Sequence, residues 1–428
     1  MCHTHDINHQ LIVLGNGFDL ACGLKSRFMN FLEPQMKVLE KLSSLEGKEL
    51  VEAMNKEDLT VWDLILYKRK LVADSGHNVN WCDVEAVISD VTKRHAEAPS
   101  ERWDWDGGED TDDPEEQVSV YELEKFFDYL ENHPGIGKPS VYAREREDDF
   151  VETEDYGVNE FYLDVLDGLP NQQSEDVGQY LRYAYPHRKS WTEEDIYEVL
   201  FTELGRLETR FDIYLRSEVH LSANYSICSS LLLKEIMSKD YSDLEGEGAE
   251  FTVFDFNYTS PEIPNEFRRC NCELVNIHGR LGDGIIFGAD GTDCMGERGP
   301  ARFTKTYRVA QRTRASVAQR VAYPHGIGLP GETETVAIKF YGHSLAQADY
   351  AYFQSIFDMV DLYSGNARLY FFYNNYAPSV REDYLDKIVK LLDAYGATLD
   401  NRDHGKNLMH KLLLEGRLVV EELSVSFL

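Results

Sequence analysis

"TVAIKFYGHSLAQADYAYFQSIFDMVDLYSGNARLYFFY", running from Thr335 to Tyr373, alternates two textures. Its ends, TVAIKFYG from Thr335 and ARLYFFY from Ala367, are short, apolar and rich in β-branched or aromatic residues, which is how buried strands read. Between them, SLAQADYAYFQSIFDMVDLY carries apolar residues at helical spacing. Strand, helix and strand in succession, with apolar strands, describe a parallel sheet covered by helices on both faces.

The strand texture returns in FTVFDF (from Phe251), ELVNIHG (from Glu273) and GIIFG (from Gly284), and near the start of the chain from Gln10 to Leu14. Helical spacing returns in RFMNFLEPQMKVLEKLSSL, expected to break at Pro34, and in WCDVEAVISDVTKRHAE, where Trp81 and Glu85 fall one turn apart on one face. Further helices are TEEDIYEVLFTELGRLETRFDIYLRSEV, capped by Thr192 with Glu194 and Asp195 in its first turn, and NYSICSSLLLKEIMSK. SVREDYLDKIVKLLDAYG is another, stopped by Gly396. The expected fold class is α/β: a Rossmann-like, mostly parallel sheet with helices on both faces, plus a helical and acidic insertion. Residues 1–98 are assigned the first strand and helices of the α/β domain, 99–245 the acidic insertion and helical region, and 246–428 the rest of the α/β domain.

The chain has 428 residues, 43% of them hydrophobic, enough for a sizeable core. Its 43 Lys and Arg against 76 Asp and Glu leave a net charge of -33. A field of that sign repels polyanions and argues against nucleic acid and anionic membrane as partners. Twenty-one of the acids lie between residues 101 and 160, where five Lys or Arg leave a net of -16. That stretch reads as a solvated, partly disordered insert. Its aromatics Trp103, Trp105, Phe126, Phe127 and Tyr129 keep open a folded insert that faces a partner. The seven scattered cysteines, Cys2, Cys22, Cys82, Cys228, Cys270, Cys272 and Cys294, suit free thiols in a reducing cytosol. The start MCHTHDINHQ lacks the basic and apolar regions of a signal peptide, and no segment is apolar enough to span a bilayer. The expectation is a soluble cytoplasmic protein.

The chemistry-bearing residues fall where strands end, which is where ligands gather in open α/β sheets. Gly15-Asn16-Gly17-Phe18-Asp19 follows the first strand. Its glycines permit close backbone approach to a phosphate, although Leu20 replaces the last glycine of the dinucleotide fingerprint, and an ordinary tight turn explains it as well. Asn257 follows FTVFDF, placed to hold a water or ribose hydroxyl or to satisfy a turn, and His278 precedes Gly279 at the end of ELVNIHG. Gly342-His343-Ser344, with Asp349 beyond, forms a second phosphate or ribose cradle. It also mimics the nucleophile elbow of α/β-hydrolases, since Asp349, Asp358 and His404 follow Ser344 in the order acid, then histidine. Cys270-Asn271-Cys272 lacks the second pair a zinc site needs, and Cys2, His3, His5 and His9 make no designed metal site, so no metal is expected.

Together GNGFDLACGL, WCDVE, FNYT, IHG with FGAD, and GHSLAQADYAYF resemble the AbiH family of bacterial abortive-infection, phage-resistance proteins, over most of the chain outside the acidic insert. That family is similar to a branch of the sirtuin-like NAD-binding superfamily. The resemblance implies that Gly15 and Gly17 match the glycines of the first sirtuin loop and Asn257 its strand-end asparagine. It implies further that His278 is the catalytic histidine and that Gly342 with Ser344 forms the nucleotide-holding turn. Asp19 stands where sirtuins carry serine, and Thr259 lies near the place of a missing acid. The two C-x-x-C pairs of sirtuin deacylases are absent, so the implied reaction is hydrolysis of NAD, here a substrate, to nicotinamide and ADP-ribose.

Cleavage of the nicotinamide–ribose bond passes through an oxocarbenium-like species, and the cationic leaving group departs neutral. A dry pocket, a fixed ribose and a positioned nucleophile then suffice. In this reading His278 takes a proton from water or a ribose hydroxyl, Asn257 orients the water, and Asp19 binds a ribose hydroxyl. The turns at Gly15 and Gly342 hold the diphosphate. Expected partners are NAD or a related nucleotide, and a homo-oligomer or regulatory protein acting through the acidic insert. The rival readings are a serine hydrolase using Ser344 and a non-catalytic nucleotide sensor.

Overall fold

Leu11, Ile12, Val13 and Leu14 are all fully buried, because the strand they form has neighbours on both sides and helices on both faces. The computed structural model describes residues 7–74, 76, 81–92, 176–188, 191–240, 249–289, 299–312, 320–324, 333–346, 349–375 and 379–423. The acidic stretch 101–160, together with Cys2, His3, His5 and Cys294, lies outside these residues. The chain divides into two compact units that interleave along the sequence: Met1–Arg27, Asp212–Ile286 and Val309–Leu428 form the first, Phe28–Phe211 and Phe287–Arg308 the second. Segment 1–98 therefore contributes to both.

The first unit is built on six parallel strands: β1 (Ile7–Leu14), β2 (Glu250–Asp255), β3 (Asn271–Asn276), β6 (Thr333–Tyr341), β7 (Arg368–Tyr373) and β8 (Leu418–Glu422). Two short strands, β4 (Gly279–Arg280) and β5 (Gly284–Ile285), pair antiparallel as a separate hairpin. The order across the sheet is β3-β2-β1-β6-β7-β8, so β1 lies inside and the chain reverses direction across the sheet between β1 and β6. Alternate side chains feed two cores. Leu11, Val13, Ile338, Phe340, Leu369 and Phe371 pack with the helices Tyr350–Met359 and Val380–Gly396. Ile12, Leu14, Phe251, Val253, Tyr341 and Phe372 pack with the helix Tyr225–Ser238. The Rossmann-like α/β expectation holds.

The register aligns the strand ends. Leu14 pairs with Asp255 on one side and Tyr341 on the other, and Asp255 pairs with Asn276. The loops starting at Gly15, Phe256, Ile277 and Gly342 thus leave the sheet along one edge.

Several expectations change in detail. The helix Phe28–Leu42 runs through Pro34 instead of breaking there; Pro34 is exposed, where water can satisfy the carbonyl it leaves unpaired. Trp81 precedes the helix Val84–Thr92 and shares no helical face with Glu85, because the Asp83 carboxylate accepts the amides of Glu85 and Ala86 and starts the helix after it. The helix between β6 and β7 begins only at Tyr350, since Leu345 takes a positive φ of 56°. The helix Arg402–Leu414 and the edge strand β8 were not anticipated.

In the second unit, Thr192 and Asp195 cap the helix Glu193–Leu221 reciprocally: Thr192 N donates to Asp195 Oδ2 at 2.9 Å and Asp195 N to Thr192 Oγ1 at 3.2 Å. Buried ions in this unit are paired, as Arg308 with Glu208 (2.8 Å) and Arg210 with Asp63. Cys22, Cys82, Cys228, Cys270 and Cys272 are in no disulfide. Among the described residues no helix is long and apolar enough to cross a membrane.

Candidate functional site

An open parallel sheet has its ligand crevice where the strand order reverses, outside the carboxyl ends. Here that place lies between Leu14 and Tyr341. The two glycine turns expected to cradle a ligand meet there, backbone against backbone. Gly15 N donates to Tyr341 O at 3.0 Å, Gly17 N to Gly342 O at 2.8 Å, and Phe18 N to Gly15 O at 2.8 Å. A Cβ on Gly15 would stand 2.5 Å from His343 Cα, and one on Gly17 2.6 Å from Gly342 Cα. Gly342 adds a φ of +69°. The glycines are thus required by mutual approach of the turns. A ligand laid across them would meet side chains and amides other than those of Gly15, Gly17 and Phe18. Asn16 Oδ1 accepts the Ser26 hydroxyl, and the Phe18 ring is buried edge-on to Tyr341.

Beneath these turns lies a buried polar network. Asp19 accepts the Tyr225 hydroxyl at 2.6 Å and the Thr259 hydroxyl at 3.0 and 2.9 Å from its two oxygens. Burial pushes its carboxyl up to about 6, against the lowering effect of both hydroxyls. Asp255, fully buried at the end of β2, is pushed well above the usual carboxylate range by burial and then by the Asp19 charge. Asn257 N donates to Asp255 Oδ1 (2.9 Å), and Asn257 Nδ2 to Gly15 O (3.1 Å). Asn276 Nδ2 donates to the carbonyls of Asn257 (2.9 Å) and Thr259 (2.6 Å). The polar atoms of Asp19 and Asn257 therefore tie the ends of β1, β2 and β3 together.

The chemistry-competent cluster lies on the neighbouring loops. His278, from the end of β3, and His343, from the end of β6, flank one carboxylate. Asp349 Oδ1 is 3.9 Å from His278 Nε2, and its Oδ2 is 3.4 Å from His343 Nε2. All three are buried, at 3%, 5% and 8% exposure. Asp349 precedes the helix Tyr350–Met359 without capping it through its side chain. His343 Nδ1 accepts the Leu345 amide at 3.0 Å, which leaves its proton on Nε2, facing Asp349. Phe256 packs edge-on against His278 (5.5 Å between ring centres) and His343 (4.5 Å), and Tyr352 edge-on against His278 at 5.9 Å.

The structure thus brings together His278, His343 and Asp349, and separately Gly15, Gly17 and Gly342. Asn257 turns its carboxamide to Gly15. Ser344 is exposed, its Oγ accepting the Ala346 amide at 3.4 Å. A hydrolase relay would need Asp349 or Asp358 with His404, but Asp349 faces the two histidines and His404 stacks flat on Tyr363 at 4.4 Å. Among the described residues no group of three or more His, Cys, Asp or Glu is placed to hold a metal ion. Sequence reasoning missed Asp255, Asn276, Tyr225 and Tyr352. Asp255 and Asn276 carried a signal, as polar residues closing apolar strands; Tyr225 and Tyr352 carried none.

With this geometry in place, comparison with known proteins shows that the family model described as "Bacteriophage abortive infection AbiH" matches residues 11–373. The comparisons with curated proteins and with solved structures gave no match.

Proposed function

The chain belongs to the AbiH family of bacteriophage abortive-infection proteins, and from that premise we propose that it acts in phage defence by hydrolysing NAD to nicotinamide and ADP-ribose at the carboxyl edge of its sheet. The observation that carries the reading is the buried His278–Asp349–His343 cluster beside the strand reversal. The edge suits a dinucleotide by its topology, and the sirtuin-like likeness of GNGFD, FNYT, IHG and GHS supports the choice of NAD.

NAD supplies a leaving group that departs as a neutral ring, taking the electrons of the broken C1′–N bond, so no proton donor is required at that atom. His278 takes the proton of the water whose oxygen bonds to C1′, and passes it to solvent afterwards. Asp349 stabilises the positive charge that grows on the imidazole. His343 holds Asp349 in place, its own ring fixed by the Leu345 amide. Phe256 and Tyr352 keep bulk water off the histidine face. Asn257 acts as a positioning residue, through Gly15 O, and Asp19 acts through Thr259 and Tyr225.

The test is nicotinamide release from NAD by the purified full chain. His278→Asn and Asp349→Asn should lower the rate about 10²- to 10⁴-fold while leaving the melting curve in place. Release that persists unchanged in both variants, or is absent from the wild type in phage-challenged extract, would overturn the reading.

A further inference from the structure

We propose that Arg312 is the phosphate-binding residue of this site, recognising the diphosphate of the nucleotide; the inference rests on the NAD reading above. Residue 278 leads directly into the β4–β5 hairpin, whose backbone is fixed to it: Ile286 N donates to His278 O at 2.8 Å, and Gly279 pairs with Ile285. The hairpin is shaped to seat one guanidinium. Gly279 and Gly284 have φ of +91° and +94°. A Cβ on Gly279 would stand 2.9 Å from Arg312 Nη1, and a Cβ on Gly284 2.9 Å from Arg312 Nη2. Arg312 Nη1 also donates to Gly284 O at 2.8 Å. A Cβ on Gly279 would meet Gly284 O first, at 2.3 Å, so that glycine serves the hairpin's own turn, whereas at Gly284 the nearest atom is Arg312 Nη2, and this exposed side chain rests where a Cβ would stand.

Electrostatics gives the seat its purpose. A net charge of -33 opposes the approach of any anionic ligand, and the sheet edge adds the carboxyl group of Asp349. A fixed cation beside such an edge favours an anionic ligand there. A guanidinium held at one nitrogen keeps further N–H donors in a planar fork, the geometry that matches two phosphate oxygens. Arg312 is hydrogen-bonded to the hairpin whose Ile286 amide donates to His278 O, so cation and imidazole are joined to one element.

The experiment is calorimetric titration of the full chain with ADP-ribose and, separately, with nicotinamide. Arg312→Gln should weaken ADP-ribose at least tenfold and leave nicotinamide binding within twofold. Arg312→Lys, which keeps the charge and a donor for Gly284 O but loses the fork, should fall between. Arg381→Ala, removing one exposed cation elsewhere, should change neither. The inference is overturned if Arg312→Gln binds ADP-ribose like the wild type, or if Arg312→Lys restores melting temperature but not affinity relative to Arg312→Gln. Wild-type protein that binds no ADP-ribose would overturn the NAD reading itself.

Discussion

Gly342→Ala tests the claim that the two glycine turns are built for mutual contact. Two costs add. An L side chain at φ +69° pays about 1–2 kcal/mol for left-handed backbone. Its Cβ would also press on Phe18 N, on Gly17 C at 2.6 Å and on Gly17 Cα at 2.8 Å, all of them backbone atoms that cannot rotate away. Overpacking of that kind costs about 1–3 kcal/mol. The sum is roughly 2–5 kcal/mol, a fall in melting temperature of roughly 5–15 °C for a unit of this size. Gly23→Ala is the internal standard: φ is +82°, yet nothing lies within 4 Å of the new methyl, so only the conformational cost of about 1–2 kcal/mol applies, roughly 3–6 °C on the same scale. Differential scanning calorimetry of the wild type and both variants separates the terms. If Gly342→Ala melts no lower than Gly23→Ala, the turns do not touch as described, and the strand reversal is open to backbone approach from a ligand.

Two further substitutions probe the framework. Asp19 has a folded value of about 6, above its unfolded 3.8, so its contribution to stability is fully present below 3.8 and is lost as pH rises through about 6. Asp19→Asn should therefore gain on the wild type by about 1.4 kcal/mol between pH 5 and pH 8 in urea titrations; a gap that stays constant with pH would contradict the burial argument. Lys339, wholly buried, donates from Nζ to the carbonyls of Ile236 (2.9 Å), Met237 (3.0 Å) and Lys239 (2.6 Å), closing the helix Tyr225–Ser238. Lys339→Met should cost about 3 kcal/mol and speed amide exchange in the last turn of that helix; unchanged exchange would show that the carbonyls are satisfied some other way.

The sheet was legible because burial on both faces leaves little room for polar residues, so β2, β6 and β7 stand out as apolar runs. The edge strand β8 was not: LVVEE is covered on fewer sides, carries two acids, and follows the preceding helix after only Glu415, Gly416 and Arg417. Pro34 misled because propensity speaks for the helix interior, whereas an exposed carbonyl finds water. At the site, strand ends predicted which loops would gather but not which atoms would meet. Tyr225 reaches Asp19 across 206 positions of sequence, and His278 and His343 share Asp349 only because the register levels β3 and β6 with the strands between them.

Asn257 and Asp19 show why residue type alone does not fix a role at such an edge. Both stand just beyond apolar strands, where a polar side chain signals that something needs a hydrogen bond. The same need arises from a ribose or from the protein's own loops. Here the loops claim them: Gly15 O takes the Asn257 amide, and the hydroxyls of Thr259 and Tyr225 take Asp19. Moving the ligand-facing role away from them leaves a coherent division. The ends of β1 and β2 supply a braced platform, with its polar groups turned inward. The loops after β3 and β6 carry two histidines, set among aromatic rings and sharing one carboxylate. Substitution should respect that split: variants of Asn257 or Asp19 should move stability and nucleotide activity together, whereas variants of His278 or Asp349 should remove activity from a chain that melts as before.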